Sequence, residues 1–82
     1  MEKSFYRKMV EEKGLIDTPL EIISKEKEKH YMTVETVIEF IENSPKNIKN
    51  KIRNTMSLID FKDGDLIHYM EYIAQGMIDF YY

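Results

Sequence analysis

Residues 66–82 read LIHYMEYIAQGMIDFYY, and five of these seventeen residues are aromatic. At 100° per residue, the apolar side chains from Leu66 to Tyr81 fill one arc of about 180°, and polar side chains fill most of the rest. A helix that packs on one neighbour needs an apolar arc of only about 100°. The pattern therefore predicts a long amphipathic C-terminal helix that is central in a bundle or forms the seam of a homodimer.

The first segment also carries helix signals. Phe5, Tyr6, Met9 and Val10 recur at helical spacing. Gly14 follows at the place where a glycine commonly ends a helix. The pattern predicts a first helix that ends before Gly14.

A second helix is predicted to begin at residues 18–21, which read TPLE, with Thr18 as its cap. A threonine cap, a proline in the first helical position and a glutamate three residues after the cap form a capping box. This helix would bury Leu20, Ile23 and Tyr31, and its charged tail would face solvent.

Residues 32–44, MTVETVIEFIENS, fit two patterns. Apolar residues alternate from Met32 to Phe40, which is typical of a strand. A helix over the same residues has an apolar face on one side and three glutamates on the other. The apolar face consists of Val34, Val37, Ile38 and Ile41. We favour the helix, with Thr33 as its cap.

Two further helices are predicted after this segment. Ser44 would cap the first, with Pro45 in its first position, and Ile48, Ile52, Met56 and Ile59 would form its apolar stripe. Gly64 would then break the chain, and Asp65 would cap the final helix.

The sequence therefore predicts an all-α fold, a single domain over residues 1–82 with four or five short helices. Hydrophobic residues make up 43% of the chain and charged residues 33%, a balance typical of a folded domain. The predicted core consists of Phe5, Met9, Leu20, Ile23, Val37, Ile41, Ile48, Ile52, Met56, Leu66, Ile73 and Met77.

Residue types that carry chemistry are sparse. The chain has no cysteine, two histidines and three isolated glycines, so thiolate metal sites and glycine-rich phosphate loops are excluded. We expect no catalytic, cofactor-binding or metal-binding residues, and a protein that is not an enzyme. With no apolar run near the length of a membrane span and no signal-peptide pattern, a cytoplasmic location without membrane partners is expected.

Basic and acidic residues are distributed unevenly along the chain. Residues 45–58 carry four basic and no acidic residues, while the rest of the chain is neutral or acidic and the net charge is −3. Lys46, Lys49, Asn50 and Arg53 share one side of this segment, and such residues bind phosphates and bases. A dimeric helix-turn-helix DNA-binding regulator that uses the basic helix 45–58 is therefore the alternative function.

The favoured function is a non-enzymatic module that binds a host protein. In size and composition the chain resembles the small reading frames of phages or mobile elements of low-GC bacteria, and that resemblance implies a small regulator or inhibitor. Six methionines and six tyrosines suit an adaptable contact surface. Besides the basic residues, we expect partner contacts from Tyr72, Phe80, Tyr81 and Tyr82, and a steric mechanism.

Overall fold

The computed structural model describes residues 2–59 and 63–81. Their elements are, in chain order, α1 (Phe5–Glu12), β1 (Pro19–Ile23), β2 (Lys29–Thr33), α2 (Val34–Glu42), α3 (Lys46–Leu58) and α4 (Asp63–Tyr81). Within those residues the protein has four helices and one two-stranded antiparallel sheet. The prediction of an all-α fold is therefore wrong, because a β-hairpin stands where the second helix was expected.

Burial along β1 follows a period of two. Leu20 and Ile22 point inward and are buried, whereas the residues between and beside them are exposed. Ile23 and Tyr31, expected in the core, are 52% and 73% exposed. The Leu20–Ile23 pair suggested a helical face, but Leu20 with Ile22 is the pair that the core uses.

The turn of this hairpin, residues 24–28, contains neither glycine nor asparagine, which are typical of hairpin turns. Lys27 N–H donates to the Ser24 carbonyl at 2.9 Å, and Ser24 N–H donates to the Glu28 carbonyl at 2.9 Å. Lys27 has a φ of 65°, as in three-residue hairpin loops whose last residue is left-handed. Glycine or asparagine normally takes that position, so the lysine concealed the turn from sequence analysis.

The end of α1 confirms the role predicted for Gly14. Gly14 has a φ of 69°. Its N–H donates to the Glu11 carbonyl at 3.0 Å, and Leu15 N–H donates to the Val10 carbonyl at 2.8 Å. These two bonds form a Schellman motif, which satisfies carbonyls that a helix end leaves free.

Helix α2 confirms the helical interpretation from residue 34 onward, although Met32 and Thr33 belong to β2. The predicted apolar face, Val34, Val37, Ile38 and Ile41, is fully buried. Thr33 is the N-cap but makes no side-chain capping bond.

Backbone carbonyls cap α2 instead. Val34 N–H donates to the Thr18 carbonyl at 3.0 Å, and Glu35 N–H donates to the Ile16 carbonyl at 2.9 Å. The first N–H groups of a helix lack partners within it, so these carbonyls supply what a side chain usually supplies. The segment before β1 is thereby fixed to the start of α2.

Helix α3 begins one residue later than predicted. Pro45 is its N-cap, and the Ser44 hydroxyl donates to the Phe40 carbonyl at 2.7 Å. Ser44 therefore bonds back to α2, and its predicted capping role is wrong. Ile52 and Met56 are buried as expected, whereas Ile48 is 42% exposed.

Helix α4 includes Gly64 and Asp65, so the predicted break at Gly64 and cap at Asp65 are wrong. Residues 60–62, which link α3 to α4, lie outside the described residues. Helix α4 packs against β1 and α2, which cover part of its broad apolar arc. Its buried residues are Leu66, Met70, Ile73, Ala74 and Ile78.

Most of the predicted core is buried or packs against the core. Seven predicted core residues are buried: Leu20, Val37, Ile41, Ile52, Met56, Leu66 and Ile73. Phe5, Met9 and Met77 are partly buried against them. None of the helices in residues 2–59 and 63–81 has both the length and the apolar character that crossing a membrane requires.

Candidate partner-binding groove

An open apolar groove of about 580 Å³ runs between α3 and α4 and reaches the end of α2. We call it the α3–α4 groove. Its lining residues are Phe40, Asn43, Ser44, Pro45, Ile48, Ile52, Tyr69, Tyr72, Ile73, Gly76, Met77 and Phe80. Most are apolar or aromatic, so the groove is suited to apolar contact.

The α4 wall presents two large aromatic side chains to solvent. Tyr72 is 76% exposed and Phe80 is 81% exposed. The Tyr72 ring stacks on Tyr69, with ring centroids 6.3 Å apart and planes 12° apart. The stacking covers one face of the Tyr72 ring and orients it beside the groove, while the other face is exposed to solvent.

Gly76 lies one helical turn from both Tyr72 and Phe80, on the same wall. A Cβ atom at this position would have no described neighbour outside its own helical turn within 4 Å, and the residue does not have a positive φ. Glycine within a helix costs about 1 kcal/mol relative to alanine. Folding therefore does not require this glycine, which leaves a gap between the two aromatic side chains that we call the Gly76 notch.

The α3 wall combines a buried and an exposed isoleucine. Ile52 is 8% exposed and belongs to the core, whereas Ile48, one turn earlier, is 42% exposed. Lys51 follows Ile48 by three positions and is exposed, so it flanks this wall. The wall is apolar at its base and basic along its edge.

The polar side chains at the end of the groove already have partners. The Asn43 amide nitrogen donates to the Glu39 carbonyl at 2.9 Å. The Ser44 hydroxyl donates to the Phe40 carbonyl at 2.7 Å. Small-molecule sites use a few convergent polar groups to orient a ligand. These two groups are instead used to end α2.

The basic side chains singled out from the sequence lie partly on another face of α3. The Tyr6 hydroxyl donates to the Lys49 carbonyl at 2.6 Å, and the Arg53 guanidinium lies 4.6 Å from the centroid of the Phe5 ring. Burial raises the pKa of the Tyr6 hydroxyl, which keeps it a donor. Lys49 and Arg53 therefore lie on the side of α3 that meets α1.

The structure thus divides the predicted partner-binding residues. Tyr72 and Phe80 line the groove, while Lys46 and Asn50 are exposed elsewhere on α3. Tyr82 and the side chain of Tyr81 lie outside the described residues. Sequence analysis missed Ile48, which it assigned to the core, and Gly76. An isolated glycine inside a strongly apolar helix is the signal that could have identified Gly76.

A separate polar cluster joins α1 to α2. The Arg7 guanidinium donates to Glu42, with Nη2 2.9 Å from Oε1 and Nε 3.3 Å from Oε2. The Ser4 hydroxyl donates to Glu42 Oε2 at 2.7 Å. The Arg7 hydrogen bonds lower the pKa of the Glu42 carboxyl, against the opposing effect of burial. All of these groups bond to one another, so we assign the cluster a structural role.

A smaller cavity of about 190 Å³ lies between the hairpin turn and α4. Its lining includes Ser24 and Asp79, which already bond to Glu28 N–H and Gln75 respectively. In residues 2–59 and 63–81, no three histidine, cysteine, aspartate or glutamate side chains are grouped to hold a metal ion.

Comparison with known proteins gave no match to a family model, a curated protein or a solved structure.

Proposed function

We propose that this chain is a non-enzymatic protein-binding module that receives a helix of a partner protein in the α3–α4 groove. It would act as a small regulator or inhibitor, because a bound partner helix is sterically unavailable to other proteins. The observation that carries this proposal is the exposed Tyr72 and Phe80 on the wall of an open apolar groove. Apolar patches of this kind mark interaction sites in soluble proteins.

The shape of the groove favours a helix as the occupant. Its α4 wall runs from Tyr69 to Phe80, which corresponds to about three helical turns, or about 18 Å. Recognition of a helix in a groove uses a row of apolar anchors over such a length. A small ligand would need several convergent polar groups, and besides the two tyrosines the groove offers Asn43 and Ser44, which already bond to α2.

Photo-crosslinking in a bacterial lysate tests this proposal. A photoreactive amino acid replaces Tyr72 in the groove, and a matched variant carries it at Lys25 in the exposed hairpin turn. We expect one protein to crosslink from position 72 and not from position 25, with and without nuclease. Equal crosslinking from both positions, or none from position 72, would contradict a partner in the groove.

DNA binding by a dimer remains the second hypothesis, because α3 carries four basic and no acidic residues. Lys46 and Asn50 are exposed, as base or phosphate contacts require. Against it, Arg53 stacks on Phe5. Replacing Lys46 and Lys49 by glutamate would abolish a salt-sensitive gel shift if this hypothesis holds. If the wild-type protein gives no gel shift, the DNA-binding hypothesis is wrong.

A further inference from the structure

The two walls of the α3–α4 groove carry opposite charge. Helix α3 has no acidic residue and α4 has neither lysine nor arginine, and one charged residue of each helix flanks the groove. Lys51 is the neighbour of Ile48 on the α3 wall, and Asp65 precedes Tyr69 by one turn on the α4 wall. A helix that lies in the groove therefore meets a positive edge on one side and a negative edge on the other.

The Gly76 notch adds a steric requirement. Beyond its own stretch of helix, no described residue has an atom within 4 Å of where a Cβ would stand, and Tyr72 and Phe80 lie one turn to either side. A large apolar side chain of an occupant fits between two such rings. Anchors that fill a pocket of this kind dominate the energetics of interfaces.

We infer that the partner segment is an amphipathic helix of a different protein, with acidic residues along the edge that faces α3 and basic residues along the edge that faces α4. A large apolar residue of this helix fills the Gly76 notch. The inference rests on the proposed function, because it specifies the chemistry of the helix that the groove receives. Opposite charges on the two edges favour one direction of the bound helix over the reverse.

Selection from a displayed library of helical peptides tests this chemistry. The peptides share an apolar stripe, the flanking positions are randomised, and the target is the whole chain. We expect the enriched peptides to carry acidic residues on one flank and basic residues on the other. The most enriched peptide then serves as the probe for measuring affinity by fluorescence anisotropy.

Charge reversal on the α3 wall is the first check on that probe. Lys51→Glu should weaken binding by about three- to tenfold at low ionic strength, and the difference should shrink in high salt. Lys8→Glu, on the exposed side of α1, makes the same change in net charge away from the groove. It should change the affinity by less than about twofold.

Filling the notch is the second check. Gly76→Leu should weaken binding by at least about tenfold, since it takes the space of the anchor. Gly64→Leu makes the same change at another open position of α4, outside the groove, and should leave the affinity unchanged. Circular dichroism of both variants confirms that each remains helical.

The outcomes separate this inference from the proposed function. Enriched peptides without the charge pattern, or equal effects of Lys51→Glu and Lys8→Glu, would overturn the inference and leave a groove-binding module. Failure to select any peptide sensitive to Gly76→Leu would also overturn it, while the crosslink from position 72 tests the function independently. If the chain instead forms a dimer that Gly76→Leu dissociates, the occupant is a second copy and the inference is wrong.

Discussion

At the scale of single residues, Lys27 and Gly76 are each a residue type that is unfavourable for the local backbone, for opposite reasons. Lys27 has a left-handed backbone conformation in a turn, which glycine would adopt without steric cost. Gly76 is a glycine in a helix, where alanine would be more stable by about 1 kcal/mol. The first is a cost of the fold. The presence of glycine at position 76 is explained if the space above it is used in binding.

Replacing Lys27 with glycine should stabilise the protein by about 0.5–1 kcal/mol. A side chain in the left-handed region costs about 1–2 kcal/mol, part of which the greater freedom of glycine in the unfolded chain offsets. Urea denaturation of Lys27→Gly and of Lys25→Gly measures the difference. Lys25 does not have a positive φ, so its replacement should be neutral or destabilising. Equal shifts in both variants would disprove the backbone explanation.

Gly76→Ala should also stabilise the fold, by about 0.5–1 kcal/mol, because the new methyl group meets no neighbour. Gly14→Ala should destabilise it by about 1–2 kcal/mol, since Gly14 has a φ of 69°. Thermal denaturation of the two variants measures whether each substitution raises or lowers the stability of the fold. A destabilised Gly76→Ala would mean that the glycine is needed for folding, and the argument for a binding role would fail.

At the scale of the elements, local sequence patterns identified all four helices, because each apolar face follows the helical period. The hairpin was missed for two physical reasons. Its turn lacks glycine and asparagine, and Leu20 with Ile23 imitates a helical face. The α3–α4 groove was beyond prediction, since it depends on how α3 and α4 lie in space. Tyr72 and Phe80 were expected to contact a partner, but Ile48 was assigned to the core.

The contact between α1 and α3 includes one buried hydroxyl group, and its contribution to stability can be tested. Tyr6 is buried, and its hydroxyl donates to the Lys49 carbonyl at 2.6 Å. Tyr6→Phe should cost about 1 kcal/mol in unfolding free energy, because the carbonyl loses its side-chain donor. Tyr31→Phe removes a hydroxyl from a ring that is 73% exposed and should change little. Equal effects in urea denaturation would show that this bond adds no stability.

The contact between α1 and α2 should depend on pH. Arg7 holds the pKa of Glu42 below its ordinary value. The resulting stability is therefore present above the unfolded-state pKa, about 4.3, and is lost as pH falls through the lower folded-state pKa. Glu42→Gln should cost about 1 kcal/mol at about pH 7 and less at about pH 3.

Denaturation of the wild type and Glu42→Gln at both pH values measures this contribution. Glu11→Gln is the matched control, because Glu11 pairs with Lys3, whose side chain is 58% exposed. Exposed pairs contribute little, so this variant should differ from the wild type by less than about 0.5 kcal/mol at either pH. A loss at Glu42 that stays constant with pH would show that the ion pair is not its source.

At the scale of the whole molecule, one layer of apolar side chains serves both the core and the groove. Ile52 and Ile73 are each 8% exposed, and both line the α3–α4 groove. The base of the groove is therefore fixed by folding. Its rim, formed by Ile48, Tyr72 and Phe80, is exposed and has little part in the core. This division makes it possible to alter binding without unfolding the protein.

Two isoleucines on the same wall test that division. Ile52→Ala should lower the unfolding free energy by about 2–4 kcal/mol, since it leaves a cavity in the core. Ile48→Ala should lower it by less than about 1 kcal/mol, because the side chain is already 42% exposed. Crosslinking from position 72, measured on the same folded samples, should nevertheless fall in Ile48→Ala. A large loss of stability in Ile48→Ala, or unchanged crosslinking, would contradict a rim that is reserved for a partner.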